Sequence, residues 1–205
     1  MPARDEIRVC QVFLPEAARE PMSLTDAERR IADGVEGARA RARYVAGRTL
    51  LRRRLGRLLG CDPLSVQIVC GPDGKPALAE PALSFNVSHA GDLVLIAVSR
   101  PRRLGVDVEQ IRPALDARVI VEEVLGAADR EAVRRAMERE GERAFFRFWT
   151  RYEAVVKARG DGLRLPLPHL CQIAAGFDIH ELPVPLGYVG AVAADEGPWE
   201  AVRCA

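Results

Sequence analysis

Short runs rich in β-branched and other apolar residues recur in the first half of the chain, and in some of them, such as LGVDVEQI, apolar and polar residues alternate; both features are typical of β-strands. The turn-forming segments GPDGKP (71–76) and HAGD (89–92) separate these runs. The predicted strands are EIRVCQVFL, SVQIVC, LSFNVS, DLVLIAVS and LGVDVEQI, beginning at residues 6, 65, 83, 92 and 104.

Two helices are predicted between the first two of these strands. Thr25 is a candidate N-cap, and Glu28 three residues later completes the spacing of a capping box. A longer helix is predicted from about Ala38 to Leu59, with Gly60 placed to end it. Its apolar stripe consists of Tyr44, Leu51, Leu55, Leu58 and Leu59.

From Arg112–Pro113 onward the periodicity becomes helical. Helices are predicted over ARVIVEEVL, DREAVRRAMERE and ERAFFRFWTRYEAVVKAR, followed by the short strand-like runs LCQIAA, LGYVGAVAA and WEAVRC. Each half therefore combines helices with a small antiparallel sheet, and we expect an α+β fold. No residue-level repeat between the halves supports a duplication.

Composition narrows the class of protein. The chain has 205 residues, is 48% hydrophobic and carries a net charge of +1, which suits a globular protein and argues against one that binds nucleic acid or a membrane surface. The charged N-terminus is unlike a secretory signal, and no segment approaches the ~20 apolar residues of a membrane span. Five cysteines without a C-x-x-C pair argue against a disulfide framework or a structural zinc site, and we expect a cytoplasmic protein.

The segment LGVDVEQI (104–111) poses a specific chemical question. On a strand, Asp107 and Glu109 point to one face, opposite Val106 and Val108. Two adjacent carboxylates repel each other unless a cation lies between them, which makes a metal site the first hypothesis. The alternative is a solvent-facing edge strand whose charges discourage aggregation.

A second candidate pair is Glu153 and Lys157, one turn apart on the last long helix. Taken alone, they could form a surface ion pair of roughly 0.3–0.5 kcal/mol. However, they continue the line of Trp149 on a largely apolar helix, where a functional site is expected rather than a solvated face.

Together, Asp107, Glu109 and Glu153 offer only oxygen ligands, which a hard cation such as Mg²⁺ prefers. Magnesium commonly takes phosphate as a further ligand, so we expect a substrate that carries phosphate. Lys75 in a turn and His89 at a strand end would suit such a ligand, although each has an ordinary structural explanation. The predicted helix 38–59 adds eight arginines and no acid: Arg39, Arg41, Arg43, Arg48, Arg52, Arg53, Arg54 and Arg57.

With these pieces in chain order, the sequence resembles the Sfp-type 4′-phosphopantetheinyl transferases. The resemblance rests on DGKP (73–76), FNVSHAGDLVLIAVS (85–99), LGVDVE (104–109) and FWTRYEAVVKARGDGL (148–163). It implies two similar α+β halves related by a pseudo-two-fold axis. Residues 1–103 would bind the 3′-phosphate and adenine of coenzyme A, and residues 104–205 would carry the metal and catalytic groups.

The resemblance also implies roles for single residues. Asp107, Glu109 and Glu153 match the family's Mg²⁺ ligands, and Lys157 matches the lysine that contacts the phosphates of coenzyme A. Ser88, His89 and Lys75 match residues that grip the pyrophosphate and 3′-phosphate; the looser match of the basic helix adds Arg43, Arg48 and Arg52. Glu153, Lys157 and His89 form the expected catalytic set.

One residue departs from the family pattern. Members commonly have lysine just before the ligand glutamate, whereas this chain has Tyr152 in WTRYEA. Because tyrosine supplies no fixed positive charge, either Arg151 or another basic group compensates, or coenzyme A is held more weakly, or the substrate differs.

The implied activity is that of a holo-[acyl-carrier-protein] synthase type transferase. It would move phosphopantetheine from coenzyme A to a serine of an apo acyl or peptidyl carrier protein and release adenosine 3′,5′-bisphosphate. The carrier would serve fatty acid, polyketide or nonribosomal peptide synthesis, and the enzyme would be a monomer without nucleic-acid or membrane partners. The alternatives are a Mg²⁺-dependent phosphodiesterase or nuclease and a non-catalytic module that binds coenzyme A.

Overall fold

The computed structural model describes residues 1–14, 22–71, 74–112, 117–162, 167–195 and 197–203. Its strands are β1 (Glu6–Phe13), β2 (Ile68–Cys70), β3 (Pro76–Leu78), β4 (Ser84–Ala90), β5 (Leu93–Ser99), β6 (Leu104–Gln110), β7 (Asp178–Glu181), β8 (Tyr188–Ala194) and β9 (Glu200–Arg203). Its helices are α1 (Asp26–Gly34), α2 (Ala38–Leu59), α3 (Ala117–Val124), α4 (Ala127–Glu140), α5 (Glu142–Arg159) and α6 (Leu170–Ile173). The α+β class expected from the sequence is confirmed.

The first sheet has the strand order β4-β5-β1-β9. Strand β5 pairs antiparallel with both neighbours, whereas β9 runs parallel to β1. Helix α2 packs on one face of this sheet because its apolar side, including Leu51 and Leu55, is buried against Phe85 and Ile96. The strand nearest the C-terminus thus belongs to the sheet of the first half.

Helix α1 begins as its sequence predicts. The Thr25 hydroxyl accepts a hydrogen bond from the Glu28 amide, and the Glu28 carboxylate accepts one from the Thr25 amide, so the capping box is formed. Glu28 is itself buried and also pairs with Arg52 at 2.6 Å and Arg48 at 2.8 Å. This buried acid therefore fixes α1 against α2.

The second half packs α5 on the sheet β6-β8-β7. Gly105 allows the helix to approach very closely, since a Cβ at this position would lie 2.0 Å from the Ala154 carbonyl oxygen and 2.5 Å from the Ala158 nitrogen. The buried phenylalanines 145 and 146 complete the core on the same helix. Helix α5 is therefore held in a fixed position over β6.

The two halves meet between β4 and β6. A buried cluster combines side chains of both sheets, including Leu95 and Val106. Beside it, the Asn86 side chain accepts a hydrogen bond from the Val106 amide at 2.8 Å, and the Ser88 hydroxyl accepts one from the Val108 amide at 3.3 Å. Two side chains of β4 thus satisfy backbone donors of β6, the edge strand of its sheet.

Most predicted elements are confirmed, and the helices 38–59 and 142–159 have the predicted bounds. The predicted strand at 170–175 is wrong, because residues 170–173 form the short helix α6. Strands β3 and β7 lacked a prediction. Strand β9 crosses back to the first sheet, so the proposed division at residue 104 does not separate every pairing. The pseudo-two-fold relation stays a prediction.

The cysteines also differ from expectation in one respect. Cys10 is disulfide-bonded, while Cys61, Cys70 and Cys171 are exposed free thiols. An odd cysteine count could not reveal this bond, because it says nothing about which cysteines come close in space. Within the described residues, no helix is both long and apolar enough to cross a membrane.

We predict that Gly105→Ala lowers the free energy of unfolding by about 3 kcal/mol or more, at or beyond the upper end of ordinary overpacking costs, because the new methyl group meets helix backbone rather than a movable side chain. Urea unfolding measures the change. Gly47→Ala in α2 is the control: its Cβ meets nothing within 4 Å, so it should stabilise by up to about 1 kcal/mol. Equal behaviour of the two variants would contradict the close approach.

Candidate active site at the junction of the two halves

Buried Asp107 and partly exposed Lys157 form an ion pair where β6 faces α5. The Lys157 Nζ lies 2.6 Å from Asp107 Oδ1, and the Asp107 residue is only 3% exposed. The strand alternation predicted for this segment is correct, since Val106 and Val108 lie in the core on the other face. The alternative of a solvent-facing acidic edge is wrong for Asp107.

Ser88 connects this pair to the first half of the chain. Its hydroxyl donates to Asp107 Oδ1 at 2.8 Å and accepts a hydrogen bond from Lys157 Nζ at 3.1 Å. Because Ser88 is also buried, the hydrogen bonds of its side chain are used within the protein. The grip on a phosphate that the resemblance implies for Ser88 stays a prediction.

Glu109 and Glu153 flank the pair, both partly buried. Burial, reinforced by the charge of Asp107, raises the pKa of Glu109 to about 7, although Arg112 and Lys157 oppose the shift. Burial likewise raises the pKa of Glu153 and of Asp107, while Lys157 lowers both. The positive charge of Lys157 is therefore not enough to offset the cost of burying three ionised carboxylates.

This arrangement fits a divalent cation. Asp107 Oδ2 is buried and accepts no hydrogen bond from the described residues, so one carboxylate oxygen is left over for a further ligand. Asp107, Glu109 and Glu153 supply only oxygen donors, as Mg²⁺ prefers. In the described parts of the chain, no three acidic, histidine or cysteine side chains already stand in the arrangement of a formed metal site; the Lys157 ammonium lies against Asp107 instead.

A cleft opens beside the acidic cluster. It is lined by residues of the β3 turn, of β4 and of α5, among them Lys75, Asn86, Glu153 and Lys157. The Lys75 ammonium does not point to solvent: it donates to the Leu104 carbonyl at 2.9 Å and to the Lys157 carbonyl at 2.5 Å. Burial lowers the pKa of Lys75.

The predicted coenzyme A contacts on α2 and β4 differ in accessibility. His89 is exposed, and Arg43 is partly exposed with Nη2 3.5 Å from Asp92. Arg48 lies against Glu28. Arg52 is 3% exposed and also donates to the Pro63 and Val66 carbonyls, so in this conformation its guanidinium has no surface toward a ligand.

Tyr152, the departure from the family pattern, lies in the core of the second half. It is 1% exposed, its ring packs against Phe148 and Trp149, and its hydroxyl donates to the Pro168 carbonyl at 3.1 Å. Burial raises its pKa to about 12. The side chain is thus a neutral core residue, and Arg151 beside it is exposed.

Sequence reasoning missed Asn86 entirely. The alternation in FNVSHA placed Asn86 and Ser88 on one face of β4, and that shared face was a detectable signal. What it could not show was that β6 lies opposite. The hydrogen bonds to Val106 and Val108 depend on that long-range packing.

Comparisons with known proteins bear on this arrangement. A model of the 4′-phosphopantetheinyl transferase superfamily matches residues 103–186, and a model described as 4′-phosphopantetheinyl transferase, N-terminal, matches residues 23–101. Two models of one enzyme class thus match adjacent stretches that include every predicted site residue.

Similar curated proteins carry the same enzyme name. The 4′-phosphopantetheinyl transferase HetI of Nostoc sp. is 39% identical over 127 residues, which is 60% of this chain and 54% of HetI. The 4′-phosphopantetheinyl transferase AcpT of Salmonella typhimurium is 38% identical over 131 residues, 63% of this chain and 64% of AcpT. AcpT of Escherichia coli (strain K12) is 40% identical over 124 residues, 58% of each protein.

The matched part spans between about half and two thirds of the length of these relatives. Both family models and all three relatives are described as 4′-phosphopantetheinyl transferases. The chain belongs to the 4′-phosphopantetheinyl transferase superfamily.

Proposed function

We propose that this protein transfers the 4′-phosphopantetheine arm of coenzyme A to a serine of an apo acyl or peptidyl carrier protein. The observation that carries the proposal is the ion pair between buried Asp107 and partly exposed Lys157, flanked by Glu109 and Glu153 beside an open cleft. Carboxylates for a cation next to an ammonium for phosphate suit phosphoryl transfer. The names of the relatives support the same reaction.

Asp107, Glu109 and Glu153 are the residues that would hold Mg²⁺. When bound, the ion would supply positive charge to the pyrophosphate oxygens of coenzyme A. The surplus of buried acid and the free Asp107 Oδ2 support this assignment.

The chain's own residues would handle the proton and the leaving group. The serine oxygen of the carrier attacks the β-phosphorus, the serine proton passes to the Glu153 carboxylate, and the bond to the bridging oxygen breaks. Adenosine 3′,5′-bisphosphate leaves with the bonding electrons on that oxygen. Glu153 lines the cleft, where its carboxylate can take up the serine proton, and Lys157 lies close enough to the cluster to neutralise the departing phosphate.

The donor nucleotide would lie along α2 and β4. Exposed His89 and partly exposed Arg43 are available to its phosphates; Ser88, Lys75 and Arg48 contact protein groups in this structure. Arg52 is proposed only through the family resemblance, because it is enclosed. His89 would assist the reaction by holding the nucleotide next to Lys157.

The carrier protein would dock near Arg112 and helix α3. Arg112 and Arg118 are exposed there, and Val119 is an exposed apolar residue of the same helix. Arg112, Arg118 and Val119 suit contact with the acidic helix typical of carrier proteins, whether from fatty acid, polyketide or nonribosomal peptide synthesis, although α3 also exposes Glu122 and Glu123. We propose that the enzyme acts as a cytoplasmic monomer.

Tyr152 does not favour the non-catalytic alternative. Tyrosine at position 152 would remove activity if a positive charge at this position were needed in the site. The Tyr152 hydroxyl is instead directed to the Pro168 carbonyl in the core. The positive charge next to Asp107 comes from Lys157. The transferase reaction is therefore the function that the geometry supports best.

The direct experiment incubates the purified protein with Mg²⁺, coenzyme A and a panel of apo carrier proteins and measures each carrier's intact mass. We expect at least one carrier to gain one phosphopantetheine arm, and a chelator to abolish the gain. If coenzyme A binds but no carrier gains mass, a non-catalytic binding module explains the protein better. If the protein cleaves DNA with Mg²⁺, the nuclease alternative is correct.

Glu153→Gln should lower the rate of transfer by 10²-fold or more, because the amide cannot accept the serine proton and is a weaker metal ligand. The fold should be kept, since Glu153 is only partly buried. Glu200→Gln on exposed β9 is the matched control and should transfer at the wild-type rate. Normal turnover by the Glu153 variant would remove this residue from the mechanism.

The raised pKa of Glu109 predicts a pH-dependent stability in the absence of metal. Folding raises the pKa of Glu109 from 4.5 to about 7. The folded protein therefore gains stability from the protonated carboxyl below pH 4.5 and loses that stability as the pH rises through about 7, because the carboxyl must then ionise in a partly buried position. Glu109→Gln should therefore gain stability relative to wild type between pH 5 and pH 8, by about 2–3 kcal/mol at most.

Urea unfolding at both pH values measures this difference. Adding Mg²⁺ at the higher pH should stabilise the wild-type protein more than the variant, because Glu109 is a proposed ligand. A constant difference in the free energy of unfolding between the two proteins across this pH range would show that folding does not raise the pKa of Glu109.

A further inference from the structure

Lysine is rare in this chain. Of thirty basic residues, only Lys75 and Lys157 are lysines, and the others are arginines. The fold brings these two residues together, although 82 positions separate them: the Lys75 ammonium donates to the Lys157 carbonyl, and the Lys157 ammonium pairs with Asp107. Both lysines thus belong to one hydrogen-bonded unit.

The acceptors of Lys75 are backbone groups that need a partner. Lys157 lies in the last turn of α5, which ends at Arg159, where carbonyls lack the next turn's amides. Leu104 is the first residue of β6. A cation at the C-terminus of a helix is also favoured by the helix dipole. One ammonium group therefore satisfies two carbonyls and joins the start of β6 to the end of α5.

The size of the group matters here. An ammonium is a compact donor that can point two protons at two converging carbonyls, whereas a planar guanidinium has a fixed fork. The two acceptor distances of 2.9 and 2.5 Å show that Lys75 is held tightly on both sides.

These contacts close a ring. It runs from Lys75 to Leu104, along β6 to Asp107, across the ion pair to Lys157, and through the Lys157 carbonyl back to Lys75. We propose that Lys75 is a positioning residue that fixes the end of α5 against β6 and so sets the distance between Asp107 and Lys157. The inference deepens the proposed function, because this pair is its central feature.

A positioning role and a grip on phosphate make different predictions. If Lys75 acts through its hydrogen bonds to backbone, the ligand-free protein already depends on it, and a neutral donor replaces it in part. If Lys75 instead binds phosphate directly, its removal leaves the ligand-free protein as stable as before or more stable, because a half-buried charge disappears. A neutral donor at position 75 then restores no function.

The first test compares Lys75→Met with Lys75→Gln in the absence of ligands. Lys75→Met should lower the urea midpoint, and the glutamine amide should recover a substantial part of the loss by donating to one carbonyl. An unchanged or higher midpoint for Lys75→Met would overturn the positioning role.

The second test measures the NMR signal of the Lys157 ammonium group. With ¹⁵N-labelled lysine, the wild-type protein has only two side-chain ammonium signals to assign. Lys75→Met should shift or broaden the remaining Lys157 signal, and Lys75→Gln should keep it nearer its wild-type position. A Lys157 signal that is the same in all three proteins would contradict the proposal.

Gln11→Met is the matched control. Gln11 donates from its side chain to the Pro183 carbonyl at 2.6 Å, so it also links side chain to backbone across a long sequence separation, but away from Lys157. This variant should lower the urea midpoint without moving either lysine signal. A similar shift of Lys157 in Gln11→Met would show that the signal reports general loosening rather than positioning.

Coenzyme A affinity provides the functional reading. We expect Lys75→Met to weaken binding by about tenfold or more and Lys75→Gln to weaken it clearly less; equal losses would indicate a direct charge contact with phosphate and overturn the proposal. If the wild-type protein binds no coenzyme A, the proposed function fails, while the urea and ammonium measurements still decide the role of Lys75.

Discussion

The contact between β6 and α5 is the constraint on which the rest of the site depends. Asp107 is almost completely buried, and an unpaired carboxylate in that position would cost several kcal/mol. It is tolerated because Lys157 and Ser88 both reach Oδ1. That geometry requires the helix backbone to lie directly on the strand, which only a residue without a side chain at position 105 permits.

Three parts of the chain converge on this contact. The β3 turn contributes Lys75, β4 contributes Asn86 and Ser88, and α5 contributes Lys157. Because strands β4 and β6 are joined here by side chains rather than by a backbone ladder, the acidic cluster lies at the seam of the two halves. A ligand in the adjoining cleft would contact both halves at once, because residues of β4 and of α5 line it.

The electrostatics explain why the cluster suits a cation. Lys157 serves Asp107, but Glu109 and Glu153 remain partly buried with raised pKa values. The free protein therefore keeps its acids at a cost in stability, which a divalent ion would offset on binding. Structural ion pairs elsewhere differ: buried Glu28 has two arginines and a formed capping box, and its pKa is lowered.

Local signals decided which features could be predicted from sequence. The end of helix α2 could be predicted because a glycine at position 60 suits the left-handed conformation that ends the helix. The start of α1 could be predicted because Thr25 and Glu28 have the spacing of the capping box that they form. The run at 170–175 is too short for period alone to separate helix from strand. Spacing singled out the acidic pair Asp107 and Glu109 and the pair Glu153 and Lys157 as candidates. The partners of Ser88, Lys75 and Arg52 depend on long-range packing that no local pattern encodes.

The most direct test of the central claim is a crystal structure grown with Mn²⁺ and coenzyme A, measured for anomalous scattering. The proposed function predicts a strong anomalous peak within coordination distance of Asp107, Glu109 and Glu153, with the pyrophosphate as a further ligand and the Lys157 ammonium next to it. Clear density for coenzyme A with no anomalous peak among these carboxylates, or with the peak at a different group of residues, would contradict it.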